Sequence, residues 1–208
     1  MTYTLYYAPG ACSLSPSIAM REAGIAFDLV RVDLRAKKLA NGDDYLAVNP
    51  KGYVPALRLP DDAGGQILTE GAVMVQYIAD QKPEAQLAPP AGTMARYRLM
   101  EWLNFIATEL HKGASPLYNP AANDDFKKSL KDRLALRWGV LAAAVRTTPY
   151  IMGERFTIAD GYACYVLRSW QKSLKEDLAH WPELVDYYAR LVARPSVAAA
   201  LAAEGLEP

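Results

Sequence analysis

Residues 3–32, YTLYYAPGACSLSPSIAMREAGIAFDLVRV, decide the fold class of the first part of the chain. Residues 3–7 and 27–32 are rich in the aromatic and β-branched side chains that are typical of strands. Between them, residues recur at helical spacing from Leu14 onward, and Gly24 is a common helix stop. The stretch therefore predicts a strand, a helix and a second strand, the unit from which α/β domains are built.

Further strands and helices extend this pattern to residue 81. Residues 56–59 and 66–68 predict a hairpin, and residues 70–80 predict a helix after it. A shorter helix is predicted near residues 43–48. We therefore predict that residues 1–81 form one α/β domain.

Long helical patterns replace the strands after a proline-containing linker at residues 82–92. In residues 93–113, apolar side chains recur at steps of three and four and predict a buried stripe. They are Leu99, Trp102, Leu103, Ile106 and Leu110. The polar side chains that share the opposite side are Asn104, Thr108 and His111. Residues 93–208 are expected to form an all-α domain, with further helices at 126–147, 157–174, 182–193 and 195–203.

Charge and composition exclude several classes of function. Among the 208 residues, Lys plus Arg number 23 and Asp plus Glu number 23, so the formal net charge is zero. A chain without net charge has no whole-molecule field that would hold nucleic acid or an anionic membrane surface. No apolar run approaches the ~18 residues that a membrane span requires. We therefore expect neither nucleic acid nor a membrane as a partner.

The few cysteines and histidines limit disulfide and metal chemistry. Cys12 and Cys164 are too few and too far apart in sequence to staple a small secreted domain. His111 and His180 are not accompanied by paired cysteines, so no metal site is predicted. Residues 1–20 lack the charged and continuous apolar regions of a signal peptide. The cytoplasm is therefore the expected location.

Cys12 is the first candidate for chemistry. It lies in residues 8–13, between the first strand and the first helix. In such a position, backbone N–H groups and the helix dipole stabilise a thiolate and lower the pKa of the thiol. Ser13 or Ser15 can cap this helix. The simpler alternative for Cys12 is a small buried side chain without a chemical role.

Two other places in this domain offer groups to a ligand. The Val54-Pro55 bond is trans in the commoner case, since only ~5% of X-Pro bonds are cis, whereas a cis bond would turn the Val54 N–H and C=O toward an extended peptide. At the helix start near Glu70, backbone N–H groups can bind a carboxylate and Glu70 can pair with an ammonium group. Glu70 alone is also explained by the helix dipole. Together with Cys12, these features describe a site for a small thiol peptide.

Motifs spread along the chain are specific in combination. They are PGACSL at residues 9–14, NGDDY at 41–45, AVNPKG at 47–52 with VPAL at 54–57, LTEG at 68–71, EWLN at 101–104, TELHKG at 108–113 and FTIAD at 156–160. On these residues, essentially the whole chain resembles a bacterial beta-class glutathione S-transferase. The resemblance implies a thioredoxin-like first domain and an all-helical second domain. It also implies a homodimer, with glutathione as co-substrate in the cleft between the domains.

The resemblance implies roles for residues of the first domain. Cys12 would face the sulfur of glutathione, and Val54 would pair with the cysteinyl backbone through a cis Pro55. Glu70 and Gly71 would take the γ-glutamyl end.

The resemblance implies further roles for Lys37 and for four residues of the first long helix. Lys37 would reach the glycyl carboxylate, although it lies in a charged stretch and is equally well explained as a solvated side chain. The first long helix would contribute Asn104, Thr108, Glu109 and His111, some of them across the dimer. Glu109 lies off the side that the other three share. Cys12 and His111 are the expected catalytic residues, with His111 donating a hydrogen bond or accepting a proton near neutral pH.

Three residues are alternatives for the group that activates the thiol. They are Tyr6, Tyr7 and Ser13, because other classes of this superfamily use a tyrosine near the first strand or a serine after it. Only one of the two tyrosines can face the site, since successive strand residues point to opposite faces. Residues 157–160 predict a capping box, which explains Asp160 as a structural residue.

The leading predicted function is the transfer of the glutathione thiolate to small hydrophobic electrophiles. A second is thiol–disulfide exchange, because Cys12-Ser13-Leu14-Ser15 has the form of a monothiol redox site. A third is a non-catalytic glutathione-binding protein. The presence of Cys12, Val54-Pro55 and Glu70 argues against the third.

Overall fold

The computed structural model describes residues 2–207, which form two compact units. Unit 1 combines the residues up to Leu87 with those from Pro195 onward. Unit 2 consists of Ala88–Arg194.

Unit 1 contains a mixed sheet with helices. Its strands are β1 (Tyr3–Tyr7), β2 (Phe27–Asp33), β3 (Lys38–Leu39), β4 (Ala56–Arg58) and β5 (Ile67–Thr69). The first two helices of the chain are α1 (Leu14–Glu22) and α2 (Gly71–Gln81). The strand order is β3-β2-β1-β4-β5, with β1 and β2 parallel and all other neighbours antiparallel. The predicted α/β class of this part is confirmed.

Two short elements of unit 1 differ from the prediction. The predicted helix near residues 43–48 is a single 3-10 turn at Tyr45–Ala47. Strand β3 is not predicted, because two residues are too few to show the alternation of apolar and polar side chains that marks a strand.

Unit 2 is built from helices, as predicted. They are α3 (Met94–Phe105), α4 (Lys112–Ala114), α5 (Asp124–Ala144), α6 (Ile158–Arg168) and α7 (Pro182–Val192). The predicted stripe is largely buried, because Leu99, Leu103, Ile106 and Leu110 are almost completely covered. The predicted capping box also forms. None of the helices in residues 2–207 is long and apolar enough to cross a membrane.

Two predicted α-helices change their winding along their length. Helix 93–113 becomes a π-helix at Ile106–His111, and helix 157–174 does so at Ser169–Ser173. A π turn holds more residues than an α turn, so the side chains after it are rotated about the axis relative to an α-helical pattern. The prediction that Asn104 and His111 share one side of a regular helix is therefore wrong.

The last helix, α8 (Pro195–Ala203), belongs to unit 1. It packs against α1, and its Val197, Ala200 and Leu201 are buried. The predicted boundaries instead assign it to the all-α domain at 93–208. Helical spacing identifies the apolar side of a helix but not the surface that covers it.

Candidate active site

Cys12 lies beside the main chain of Val54. Its thiol donates a hydrogen bond to the Val54 carbonyl oxygen, with the sulfur 3.3 Å from that oxygen. The Val54–Pro55 peptide bond is cis. Cys12 lies just before α1 and is half-buried. Unit 1 therefore brings Cys12 next to two predicted site residues, Val54 and Pro55, that lie 42 or more positions later in the sequence.

The loop around Cys12 is closed by its own backbone. The Leu14 N–H donates to the Ala11 carbonyl oxygen at 3.0 Å, and the Ser15 N–H donates to that of Cys12 at 3.2 Å. The buried Ser13 hydroxyl accepts from the Ala8 N–H at 3.3 Å. The amides at this helix start are thus partly used to shape the loop, and Ser13 holds the loop to the end of β1.

Tyr6, another alternative activator, is a core residue. Its ring is buried and packs against Tyr45, with 5.8 Å between the ring centroids. Its hydroxyl oxygen lies 3.4 Å from the donating Nε of Arg58. Tyr7 points to the other face of the strand and is half-buried.

Two buried side chains hold the residue that precedes Val54. The Tyr53 carbonyl oxygen accepts from the Tyr45 hydroxyl at 2.9 Å and from the Asn49 side-chain amide at 2.7 Å. Burial raises the pKa of Tyr45 to about 12, so its hydroxyl keeps its proton and donates at neutral pH. Sequence reasoning missed both residues. Asn49 is only 2% exposed, and a polar side chain that is buried in this way needs a hydrogen-bond partner, but the sequence does not show this burial.

Glu70 has a basic partner within unit 1. The Lys51 ammonium lies 2.5 Å from a Glu70 carboxylate oxygen and donates to the Thr69 hydroxyl at 3.0 Å. Glu70 itself has a φ of 67°, in the left-handed region that few residues other than glycine adopt. Gly71 follows as the first residue of α2, where backbone N–H groups have no partner within the helix. Sequence reasoning also missed Lys51.

Lys37 lies beside the same loop. Its ammonium donates to the Gly52 carbonyl oxygen at 2.7 Å, two residues before Val54. Lys37 also has a positive φ, of 58°. The side chain is therefore not simply solvated, because it is bonded to the segment that carries Val54.

The predicted residues of unit 2 have different surroundings from one another. Asn104 and Thr108 are exposed, and the Thr108 hydroxyl donates to the Asn104 carbonyl oxygen one turn earlier at 3.0 Å. The Glu109 carboxylate accepts from Arg137 Nε of α5 at 3.0 Å. Glu109 thus has an ionic partner within its own unit.

His111 packs against α6. Its Nδ1 lies 2.9 Å from the Tyr162 hydroxyl and its Nε2 lies 3.2 Å from the Tyr165 hydroxyl. Burial, with the charge of Lys112 as the lesser cause, lowers the pKa of His111 to about 4. The ring is therefore neutral at pH 7 and only a weak base, which argues against its accepting a proton near neutral pH.

Residues 2–207 contain no group of three or more His, Cys, Asp or Glu side chains that could hold a metal ion.

Comparisons with known proteins agree over nearly the whole chain. Residues 10–81 match the family described as glutathione S-transferase, N-terminal domain, and residues 105–195 match the corresponding C-terminal domain. The chain is 47% identical to glutathione S-transferase GstA of Escherichia coli O157:H7, over 98% of this chain and 99% of that protein.

Solved structures give the same result. The ternary complex of BphK, a bacterial GST, is 51% identical with a TM-score of 0.93, covering 98% of this chain and 100% of BphK. A bacterial beta-class glutathione S-transferase of Sphingomonas chungbukensis is 44% identical with a TM-score of 0.91, covering 98% and 100% of the two chains. The two family models, the full-length similarity to GstA and the two solved structures agree, and the chain belongs to the glutathione S-transferase family, within its bacterial beta class.

Proposed function

We propose that this glutathione transferase joins the sulfur of glutathione to small hydrophobic electrophiles, with residues of unit 1 holding the peptide. The observation that carries the proposal is the 3.3 Å contact between the Cys12 thiol and the Val54 carbonyl oxygen. Paired strands lie ~4.8 Å apart, so a peptide that pairs with the Val54 main chain would bring its own sulfur close to Cys12. The similarity to GstA, which is named a glutathione S-transferase, supports the same activity.

The two ends of glutathione would bind at different parts of unit 1. Glu70 would pair with the ammonium of the γ-glutamyl group, and the N–H of Gly71 would donate to its carboxylate. Lys37 would reach the glycyl carboxylate. Its bond to the Gly52 carbonyl supports this role, because that bond keeps the ammonium close to the Val54 segment.

Conjugation needs a nucleophilic sulfur and a leaving group. The glutathione thiolate attacks the electrophilic carbon. With an aryl chloride, a carbon–sulfur bond forms, the carbon–chlorine bond breaks, and chloride leaves with the bonding electrons. The proton of the glutathione thiol passes to solvent. Cys12 would turn its S–H from the Val54 carbonyl to the thiolate and stabilise the negative charge there.

Unit 2 would supply further contacts. Asn104, Thr108, Glu109 and His111 stay proposed glutathione contacts, some of them across a dimer. His111 would act as a neutral hydrogen-bonding group, because burial holds its pKa near 4. Glu109 would have to share its carboxylate between the ligand and Arg137.

A second candidate reaction is thiol–disulfide exchange at Cys12. The half-buried position of the thiol beside Val54 favours it, because glutathione disulfide bound there would present a sulfur to Cys12. The Cys12 thiolate would attack that sulfur and form a mixed disulfide. The other glutathione would leave as a thiolate with the electrons of the broken bond.

We also propose that the protein works as a homodimer in the cytoplasm and that its role is detoxification. Both units carry exposed large apolar side chains, such as Tyr53 (58% exposed) in unit 1 and Met94 (69% exposed) in unit 2. Tyrosine and methionine are enriched at protein–protein interfaces relative to the rest of the surface. Light scattering at micromolar concentration should give twice the mass of one chain, and a single-chain mass would contradict the dimer.

Initial rates with different thiols would test the main proposal. The enzyme should accelerate conjugation of an aryl chloride with glutathione but far less with Cys-Gly, which lacks the γ-glutamyl group that Glu70 would bind. Reactions without enzyme supply the uncatalysed rates of both thiols. Equal acceleration of both thiols would contradict the proposed γ-glutamyl site, and no acceleration of either would contradict conjugation.

A further inference from the structure

Lys51 and Glu70 form an ion pair at the start of α2. Their charged atoms are 2.5 Å apart, while the side chains remain 46% and 64% exposed. Ion pairs with this exposure contribute little to stability, because water screens them. Folding alone therefore gives a weak reason for this pair.

The backbone of each member of the pair is nevertheless constrained, by a hydrogen bond at Lys51 and by an unusual φ at Glu70. The Lys51 N–H donates to the side-chain oxygen of Asn49 at 3.2 Å, and Asn49 is buried. The same Asn49 side chain also donates to the Tyr53 carbonyl, next to Val54. On the other side of the pair, Glu70 has a left-handed φ of 67°, an unfavourable conformation for a residue with a side chain. Lys51 is thus tied to the Val54 segment, and its ammonium lies at the start of α2.

We propose that Lys51 is a further glutathione-binding residue, which takes the α-carboxylate of the γ-glutamyl group while Glu70 takes the neighbouring ammonium. This inference rests on the glutathione site proposed above. An α-amino acid head group carries a positive and a negative charge on one carbon. A carboxylate and an ammonium side by side in the protein are complementary in charge to that zwitterion.

The bound head group would replace the direct contact between Lys51 and Glu70 by its own contacts to both side chains. The α-carboxylate would accept from Lys51 and from the Gly71 N–H at the start of α2, an 11-residue helix. The ligand ammonium would donate to Glu70. Thr69, whose hydroxyl accepts from Lys51 at 3.0 Å, would keep that ammonium in place during the exchange.

The competing explanation predicts a different change in glutathione affinity when the Lys51 charge is removed. If Lys51 only neutralises Glu70, it competes with the ligand ammonium for the same carboxylate. Removal of the Lys51 charge would then strengthen glutathione binding or leave it unchanged.

Calorimetric titration with three ligands separates these explanations. The ligands are glutathione, its analogue with 4-aminobutyrate in place of the glutamyl residue, which lacks the α-carboxylate, and its glutaryl analogue, which lacks the ammonium. Lys51→Met should weaken glutathione about tenfold, the lower end for a charge-assisted hydrogen bond, and should leave the affinity for the 4-aminobutyryl analogue within about twofold. Binding of the glutaryl analogue, which keeps the carboxylate, should weaken as glutathione does. Lys51→Arg should retain most of the affinity.

Lys82→Met is the matched control. Lys82 is 45% exposed and lies 3.6 Å from Glu84, so this change removes a similar exposed charge elsewhere in unit 1. It should leave all three affinities unchanged. Equal weakening of glutathione and of the 4-aminobutyryl analogue by Lys51→Met would overturn the inference, as would unchanged or tighter glutathione binding. A wild-type protein that does not bind glutathione would instead refute the glutathione site itself, and the inference with it.

Discussion

Cys12 and Lys37 of unit 1 are bonded to main-chain groups, whereas Glu109 and His111 of unit 2 are bonded to side chains of neighbouring helices. In unit 1, Cys12 and Lys37 both donate to carbonyl oxygens of the 52–54 segment. In unit 2, Glu109 is paired with Arg137, and the His111 ring lies between two tyrosine hydroxyls. A contact to a main-chain carbonyl oxygen survives substitution of the residue that carries it, whereas a contact to a side chain is lost when that side chain is replaced. We therefore expect residues of unit 1 to contribute most of the glutathione affinity and residues of unit 2 to contribute less.

Cys12→Ala should have the largest effect and separates the two reactions proposed for unit 1. Formation of a glutathione adduct and exchange with glutathione disulfide should be abolished, because no thiol remains at the site. Conjugation to an aryl chloride should fall by less than about a hundredfold, the range of one lost hydrogen-bond donor. Mass spectrometry and initial rates measure the two effects. A variant that binds glutathione but has lost all conjugation would show that Cys12 is the essential activator.

His111 should make the stability of the protein depend on pH. Its pKa is 6.5 when unfolded and about 4 when folded, so the unfolded chain binds the proton more tightly. The stabilisation is complete above pH 6.5 and is lost as pH falls toward 4, by up to about 3 kcal/mol. Urea unfolding at several pH values should show this slope, and His111→Gln should remove it. An identical slope in the variant would contradict the assignment to His111.

Glu70→Ala tests whether unit 1 dominates glutathione binding. Loss of a charge-assisted bond to the ligand ammonium is worth about 1.5 to 3 kcal/mol. Calorimetry should therefore show affinity reduced by about 10- to 100-fold, more than for Asn104→Ala or Thr108→Ala in unit 2. If either variant of unit 2 weakened binding more than Glu70→Ala, the division of labour between the units would be wrong.

Tyr45→Phe should have the smallest effect. It removes one of the two hydrogen bonds to the Tyr53 carbonyl and leaves the one from Asn49. The free energy of unfolding should fall by about 1 kcal/mol, and glutathione affinity by less than about tenfold. Urea unfolding and calorimetry of one preparation give both values. Weakening as large as that of Glu70→Ala would show that the Val54 segment depends on both anchors.

The sequence predicts most of the architecture, because the elements that carry it are long or strongly patterned. Helices α5 and α7 and strands β1 and β2 lie within a few residues of their predicted positions, and α6 together with the π-helix after it covers the predicted helix 157–174. Helix α8 forms as predicted, but sequence spacing does not tell which unit it packs on. The π turn at Ile106–His111 also leaves no mark in the apolar pattern, which continues through Leu110.

The candidate site was predictable where motif residues act through their position on the backbone. Cys12 and Val54 lie together, and Glu70 immediately precedes α2, as their places in the sequence indicate. Tyr45, Asn49 and Lys51 were missed, because their roles depend on contacts with residues that are not their sequence neighbours or on burial that the pattern does not show. The environment of His111 was missed for the same reason, since Tyr162 and Tyr165 are about fifty residues away along the chain.

The membership of α8 in unit 1 has a consequence for synthesis of the protein. All of unit 2 is translated before Pro195, yet α8 covers α1, and its neighbour Glu204 accepts from the N–H of Gly10 at 2.9 Å in the Cys12 loop. While unit 2 emerges from the ribosome, α1 lacks its cover and the Cys12 loop lacks this contact. Unit 1 therefore reaches its final packing only after translation has passed unit 2, so the contact of Gly10 with Glu204 beside Cys12 forms late in folding.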